Sequence, residues 1–152
     1  MKIQLILIVI SLITVSCLGQ NKPTDGQKME QTQAVVFQEM NHLNLKLIDS
    51  EFLVLKTQKE ADEIYKKINA ANSSPRKNPI PTVGYGATYI VLQPKVSTND
   101  FELGEVSQEN GNFFITIKEI NNDEYKTKKF PLSIIEVQEE ISVKKITFKR
   151  IK

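Results

Sequence analysis

The chain has 152 residues, of which 40% are hydrophobic and 25% charged, and its formal net charge is +2. This is an ordinary globular composition, and it excludes collagen-like, coiled-coil and wholly disordered chains. A length of this order favours one domain over two independent cores. The small net charge gives no field strong enough to attract nucleic acid, so we expect no nucleic-acid partner.

The first segment has the pattern of a secretory signal. Met1 and Lys2 form a short positive region, and residues 3–15 are almost wholly apolar. This run is too short for a membrane-spanning helix, which needs about 20 residues, but it fits the hydrophobic region of a signal peptide. We therefore predict that residues 1–16 are a signal peptide and that the chain is exported.

The run is followed by Thr14-Val15-Ser16-Cys17, which resembles the lipobox, the cleavage motif of bacterial lipoproteins. Small Ser16 stands directly before the cysteine, whereas Thr14 stands where leucine is usual. The resemblance implies that Cys17 becomes the lipid-carrying first residue of the mature protein. Two acyl chains on one cysteine anchor a protein stably, so the predicted location is a cell-envelope membrane. The alternatives are an uncleaved anchor and an ordinary secretory cleavage site.

Residues 17–33 are rich in Gln, Asn, Lys and Thr and contain Pro23 and Gly26. They show no apolar periodicity, which is typical of a flexible tether. We predict a lipidated Cys17 with a tether over residues 17–33, followed by a single folded domain over residues 34–152.

Strands are predicted from apolar spacing. Residues 43–47 alternate Leu with polar residues, which is the period of a half-buried strand. Asn110-Gly111 stands between two β-prone runs and predicts a hairpin with a type I′ turn. The other predicted strands are residues 52–55, 88–92, 101–106, 113–117, 132–137 and 141–148.

The apolar positions of the last strand change parity across Lys144-Lys145. A strand with period two cannot bury residues 141, 143, 146 and 148 on one face, so we predict a β-bulge at Lys144-Lys145. The lysines at this end of the chain are typical of an edge strand that avoids aggregation.

One amphipathic helix is predicted over about residues 57–71. Thr57-Gln58-Lys59-Glu60 forms a capping box, in which the Thr57 hydroxyl and the Glu60 carboxylate bind each other's backbone N–H groups. The breaker sequence Asn72-Ser73-Ser74-Pro75 ends the helix. The fold class is therefore α+β, a mostly antiparallel sheet with this helix packed on it. The apolar face of the helix consists of Ala61, Ile64, Tyr65 and Ile68.

Four stretches carry a family resemblance: Val54-Leu55-Lys56-Thr57-Gln58-Lys59-Glu60, Tyr89-Ile90-Val91-Leu92, Asn110-Gly111 and Phe130-Pro131-Leu132-Ser133-Ile134-Ile135. From Phe52 to Phe148 the order of these features is similar to that of the PrcB C-terminal domain family, small lipoprotein-associated domains named after a protease-complex subunit. The resemblance implies a non-catalytic accessory or binding role, with a secreted protease as partner, and it carries over no catalytic residues. Where that family commonly has Gly-Gly-Tyr, this chain has Ser97-Thr98-Asn99-Asp100-Phe101, which keeps only the aromatic position.

Few residues point to catalysis. His42 is the only histidine, no Gly-x-Ser-x-Gly motif accompanies it, and we expect it at the surface near the start of a strand. A typical zinc site needs several His or Cys ligands, or carboxylates in their place, so we expect no metal and no other cofactor. The carboxylates, Asp100 among them, are scattered and are interpreted as solvated surface groups. They leave one alternative open, a small envelope hydrolase that uses two carboxylates.

Partner contacts are expected on the irregular residues 76–87 and 94–101, because binding residues concentrate on loops held by a rigid scaffold. Gly84-Tyr85-Gly86 lacks the third glycine and the following helix of a dinucleotide fingerprint. Tyr85 is the candidate contact residue, or else a loop aromatic that packs on the domain, whereas Phe101 is expected in the core. The predicted function is a membrane-tethered, non-catalytic binding or accessory module, with a protein partner such as a secreted protease.

Overall fold

The computed structural model of the chain describes residues 32–125 and 130–151. The predicted signal peptide, Cys17 and most of the predicted tether lie outside the described residues. The strands are β1 (Gln33–Ala34), β2 (Phe37–Asn44), β3 (Phe52–Leu55), β4 (Thr88–Leu92), β5 (Asp100–Glu109), β6 (Asn112–Ile120), β7 (Pro131–Val137) and β8 (Lys145–Ile151). The helices are α1 (Gln58–Ala71) and a short 3-10 helix (Asp123–Tyr125).

The strands form two sheets of four. The inner sheet has the order β2–β7–β4–β3, and the outer sheet has the order β1–β5–β6–β8. All neighbouring strands are antiparallel except β6 and β8, which are parallel. Helix α1 packs on the face of the inner sheet that points away from the outer sheet, which gives three layers. The predicted α+β fold is confirmed, and the structure divides its strands between two sheets.

The inner sheet is buried on both faces by two separate hydrophobic cores. Along β4, Tyr89 and Val91 pack against the helix, whereas Ile90 and Leu92 pack against the outer sheet. All five residues of β4 are buried for this reason. This double burial explains why β4 has a continuous apolar sequence instead of an alternating one.

Helix α1 begins where the capping box predicts. The Thr57 hydroxyl accepts a hydrogen bond from the Glu60 backbone N–H at 3.2 Å, and the Glu60 carboxylate accepts one from the Thr57 N–H at 3.0 Å. These bonds satisfy donors that the first helical turn would otherwise leave without a partner. The predicted helix is confirmed, as is its buried face of Ala61, Ile64, Tyr65 and Ile68.

The predicted hairpin turn is also confirmed. Asn110 has a φ of 52° and Gly111 a φ of 79°, both in the left-handed region that a type I′ turn requires. The two residues join β5 to β6 with no further residue between the strands.

The bulge predicted at Lys144-Lys145 is wrong. Pairing with β6 begins only at Lys145, and the preceding segment is irregular. The Thr88 hydroxyl accepts a hydrogen bond from the Ile141 N–H at 2.9 Å and so fixes this segment to the inner sheet. Ile141 and Val143 reach the core between the sheets from an irregular backbone. The change of parity therefore needs no extra residue within the strand.

The strand predicted over residues 43–47 is wrong in position, because β2 ends at Asn44. The Gln93 side chain takes the place of a neighbouring strand beyond that point. Its Oε1 atom accepts hydrogen bonds from the backbone N–H groups of Leu47 and Ile48, both at 3.2 Å. Leu47 is buried against the helix without being part of a strand.

Thr57→Ala should lower the free energy of unfolding by about 0.5–2 kcal/mol, because it removes the acceptor that caps the helix. Urea denaturation followed by circular dichroism measures this effect. Thr82→Ala, at an exposed loop threonine, is the control and should leave the midpoint unchanged. An equal midpoint for Thr57→Ala and the wild type would show that the hydroxyl does not stabilise the helix.

Candidate functional site

The segments expected to make contacts, residues 76–87 and 94–101, leave opposite ends of β4, as predicted, but the second is irregular only over residues 94–99, because β5 begins at Asp100. Val137 pairs with both Phe37 and Thr88, so the starts of β2 and β4 lie at one end of the domain. The two-residue strand β1 and the turn of the β5–β6 hairpin lie at that same end. We call it the entry end, because β1 is the first described strand, and we call the opposite end the far end.

Tyr85 projects from the entry end. Its residue surface is 84% exposed, so it does not pack on the domain. Gly84 and Gly86 on either side have φ values of 99° and 73°. A Cβ atom at either glycine would meet no other atom within 4 Å, so it is the backbone conformation that requires glycine. The Val83 N–H donates to Gln58 Oε1 at 3.0 Å, which ties the start of this loop to helix α1.

A groove of about 420 Å³ lies beside this loop, and we call it the Tyr85 groove. One wall is residues 54–56, at the end of β3, and the other is residues 140–143. Gly84 lies at its rim and Thr88 contributes to its lining. The groove is therefore a concave surface of mixed polarity, and Tyr85 follows Gly84 in the chain without lining the groove itself.

A second group of residues joins the two sheets towards the far end. The two ring nitrogens of His42, on β2, are hydrogen-bonded to two different carboxylates. Nδ1 lies 2.8 Å from Glu39 Oε1, and Nε2 lies 2.7 Å from Asp100 Oδ1 on β5. The His42 ring also lies against Phe101, with 5.5 Å between ring centroids. We call Glu39, His42 and Asp100 the histidine cluster.

The two carboxylates keep the imidazole protonated. Hydrogen bonding to Glu39 has the largest effect and raises the pKa of His42. Burial lowers this pKa by a smaller amount, and hydrogen bonding to Asp100 raises it again, so the pKa is about 9 instead of the usual 6.5. The hydrogen bond from His42 lowers the pKa of Glu39 below its usual range. At neutral pH the cluster is therefore an imidazolium between two carboxylates.

Asp100 is fixed from several sides. Its Oδ2 atom accepts a hydrogen bond from Asn122 Nδ2 at 2.8 Å. Asn99 and Asn122 exchange two further bonds, of 2.7 and 2.8 Å, and Asn44 Nδ2 donates to the Asn99 carbonyl at 2.9 Å. Residues 97–101 thus join β2, β5 and the segment after β6.

These positions correct the sequence expectations for His42 and Asp100 and confirm the one for Phe101. His42 is not at the start of a strand but two residues before the end of β2, and its side chain is only 28% exposed. Asp100 is not a solvated surface group, because its residue surface is 2% exposed. Phe101 lies in the core, as expected, with 1% of its surface exposed.

The histidine cluster lacks the geometry of a catalytic triad. Ser133 pairs directly with His42 across β2 and β7, but it is fully buried and out of a substrate's reach. A triad also needs a neutral ring nitrogen that takes the proton of the nucleophile. Both nitrogens of His42 are already bound to carboxylates. Through these bonds the cluster links β2 of the inner sheet to β5 of the outer sheet.

The geometry of the histidine cluster also concerns the alternative function, a hydrolase that uses two carboxylates. The His42 ring stands between Glu39 and Asp100 and is hydrogen-bonded to both, so it occupies the place where a substrate would have to lie between two catalytic carboxylates. Glu136 accepts a hydrogen bond from the Tyr89 hydroxyl at 2.9 Å and is bound to a core residue. In the part of the chain that the structure describes, no group of three or more His, Cys, Asp and Glu side chains is arranged to hold a metal ion.

No protein-family model matches this chain, and no curated protein or solved structure that was compared with it matches either. The similarity to the PrcB C-terminal domain family therefore stays a prediction. Within residues 32–125 and 130–151, α1 and the 3-10 helix are both too short and too polar to cross a bilayer.

Stability should depend on pH through His42. Its pKa is higher in the folded state than the usual 6.5, so its stabilising effect is complete below about pH 6.5 and is lost as pH rises through about 9. At 1.36 kcal/mol per unit, a shift of about 2.5 units gives an upper limit of about 3.4 kcal/mol, and solvent screening of the partly exposed ring reduces the effect below that limit. The lowered pKa of Glu39 gives the opposite dependence, with stabilisation lost as pH falls below its usual range.

Urea denaturation at intervals from pH 6 to 10 measures this effect in the wild type and in His42→Gln. We expect the free energy of unfolding of the wild type to fall more steeply above pH 6.5 than that of the variant. The slopes are compared, so a constant loss of stability in His42→Gln does not affect the result. Parallel curves would contradict a protonated His42 between the sheets.

Proposed function

We propose that this protein is a non-catalytic lipoprotein, tethered through Cys17 to a cell-envelope membrane, that acts as a binding or accessory module. The observation that carries the binding role is Tyr85, an 84% exposed aromatic side chain held beside a groove by two glycines of positive φ. Aromatic residues of this kind commonly dominate the energy of protein interfaces.

Support for the anchor comes from the sequence. The apolar residues 3–15 and the Ser16-Cys17 pair have the order that lipoprotein processing requires. In this proposal residues 17–33 form the tether, and the tether enters the domain at β1. Because β1 and Tyr85 both lie at the entry end, a bound partner would approach the domain within reach of the membrane.

Support for a non-catalytic role comes from the chemistry of the histidine cluster. His42 has no ring nitrogen left to act as a base, and the neighbouring hydroxyl of Ser133 is buried. The exposed and irregular surface is instead concentrated in loops, where binding residues are commonly found. The resemblance to the PrcB C-terminal domain family suggests the kind of partner, a secreted protease complex.

The lipid anchor is tested by metabolic labelling with a radioactive fatty acid. We expect the wild type to be labelled and to fractionate with membranes, and Cys17→Ala to lose both label and maturation. Ser11→Ala, within the signal region, is the control and should be labelled normally. Equal labelling of Cys17→Ala and the wild type would exclude Cys17 as the attachment site.

The contact role of Tyr85 is tested by photo-crosslinking. A benzophenone amino acid at position 85 should give a crosslinked protein product in intact cells, because the side chain projects away from the domain. The same probe at Phe130, which is 50% exposed at the far end, is the matched control and should not give that product. Tyr85→Ala should leave the free energy of unfolding unchanged. A probe at position 85 that captures no protein would refute the proposed contact.

A further inference from the structure

Strand β3 lies at one edge of the inner sheet. It pairs with β4 on one side, and among the described residues no strand pairs with its other side. Its four residues are Phe-Leu-Val-Leu, with no charge, proline or register shift. An exposed strand edge of this kind offers a row of backbone donors and acceptors to another extended chain.

The backbone groups that face this open edge can be identified from the pairing. The Gln93 N–H donates to the Glu51 carbonyl at 2.8 Å, so Glu51 and Gln93 are a hydrogen-bonded pair that continues the ladder of β3 and β4. Pairs alternate along an antiparallel ladder, so Leu53 and Leu55 also bond to β4, whereas Phe52 and Val54 direct their N–H and C=O groups outward. The Ser50 hydroxyl donates to the Phe52 carbonyl at 2.7 Å, which agrees with this assignment.

The other three edge strands carry features that discourage pairing. β1 has only two residues, and β2 has a register shift between Glu39 and Asn41. β8 carries Lys145, Lys149 and Arg150. Short length, irregular register and positive charge are all devices that protect sheet edges. β3 is short as well, but its edge is apolar and regular, and it leads directly into the Tyr85 groove through Val54 and Leu55.

We propose that β3 binds an extended segment of a partner protein, which adds a fifth strand to the inner sheet and places one side chain in the Tyr85 groove. This inference rests on the proposed binding function and specifies the form of the partner. The backbone of an extended segment bonds to the outward groups of Val54, and main-chain bonds of this type give affinity without a fixed sequence. The groove that Gly84 lines selects which side chain of the bound segment fits.

A second copy of this chain fits the same edge less well. Four residues span about 13 Å, and a sheet is about 10 Å thick, so the edge offers a contact of only about 130 Å². A stable interface between two folded proteins needs about 800 Å² from each partner. A flexible segment can bend from the edge into a groove of about 420 Å³, which a second folded domain cannot do.

The test uses the full-length lipoprotein in detergent and a phage-displayed library of random linear peptides as the probe. Hydrogen exchange read by mass spectrometry then reports which backbone amides each selected peptide protects. We expect protection of the Phe52 and Val54 amides, which face the open edge, while Leu53 and Leu55 are already protected in the free protein. Selected peptides that protect other segments, or a selection that yields no binder, would overturn the proposal.

Val54→Pro removes the outward N–H and keeps the bonds from β3 to β4, because proline is tolerated where the missing donor faces outward from an edge strand. We expect selected peptides to bind about tenfold more weakly, as for the loss of one backbone hydrogen bond. Val54→Ala also loses the valine side chain, which lines the groove, but keeps the amide. It is therefore the matched reference, and the tenfold loss is expected for Val54→Pro relative to Val54→Ala.

Equal peptide affinity of Val54→Pro and Val54→Ala would contradict strand addition. The proposal would also be wrong if the Val54 amide became protected from exchange at high protein concentration without peptide, because that result would indicate pairing with a second copy of the chain. Crosslinking from position 85 separates this inference from the proposed function. A protein captured there that leaves the Val54 amide unprotected would support a contact at Tyr85 and refute strand addition at β3.

Discussion

The inner sheet lies between helix α1 and the outer sheet, and this double burial constrains everything attached to it. Strand β4 can contain no charged residue, and its polar neighbours must find partners within the protein. Thr88 and Gln93, at its two ends, are both nearly buried. The Thr88 hydroxyl donates to the Glu139 carbonyl at 2.9 Å and holds the segment before β8, whereas Gln93 holds the segment after β2. These two side chains thereby fix the chain segments that leave each end of the sheet.

Local sequence patterns predicted the elements that local chemistry determines. Helix α1 depends on hydrogen bonds between Thr57 and Glu60, and the hairpin depends on two residues of positive φ. Both were predicted because the residues involved are adjacent in the chain. The strand over residues 43–47 was predicted wrongly, because its backbone bonds to Gln93, a partner about 45 residues away. Apolar alternation indicates which side chains are buried, but it does not indicate whether the backbone is hydrogen-bonded to a neighbouring strand or to a side chain.

The Tyr85 loop and the histidine cluster also differ in how much of each could be predicted from the sequence. Gly84-Tyr85-Gly86 was recognised in the sequence, because two glycines beside an aromatic residue show a loop of unusual conformation. Exposure of the side chain could not be predicted, since it depends on how the loop leaves the domain. The histidine cluster was missed, because His42 and Asp100 are 58 residues apart and lie in different sheets. A single histidine beside a glutamate three residues earlier gives no sign of a second carboxylate on its other side.

The two ends of the domain are built differently, and the difference bears on binding. At the far end the histidine cluster and its asparagine partners satisfy one another and join the sheets. At the entry end, glycines set the conformation of the Tyr85 loop, and the tyrosine side chain is exposed. Strand β3, which ends there, directs the N–H and C=O groups of Val54 away from β4. A surface with such groups gains more binding free energy from a partner than a surface whose polar groups are already hydrogen-bonded within the protein. The histidine cluster thus lies towards the far end, whereas Tyr85, the proposed contact residue, and the proposed tether lie at the entry end.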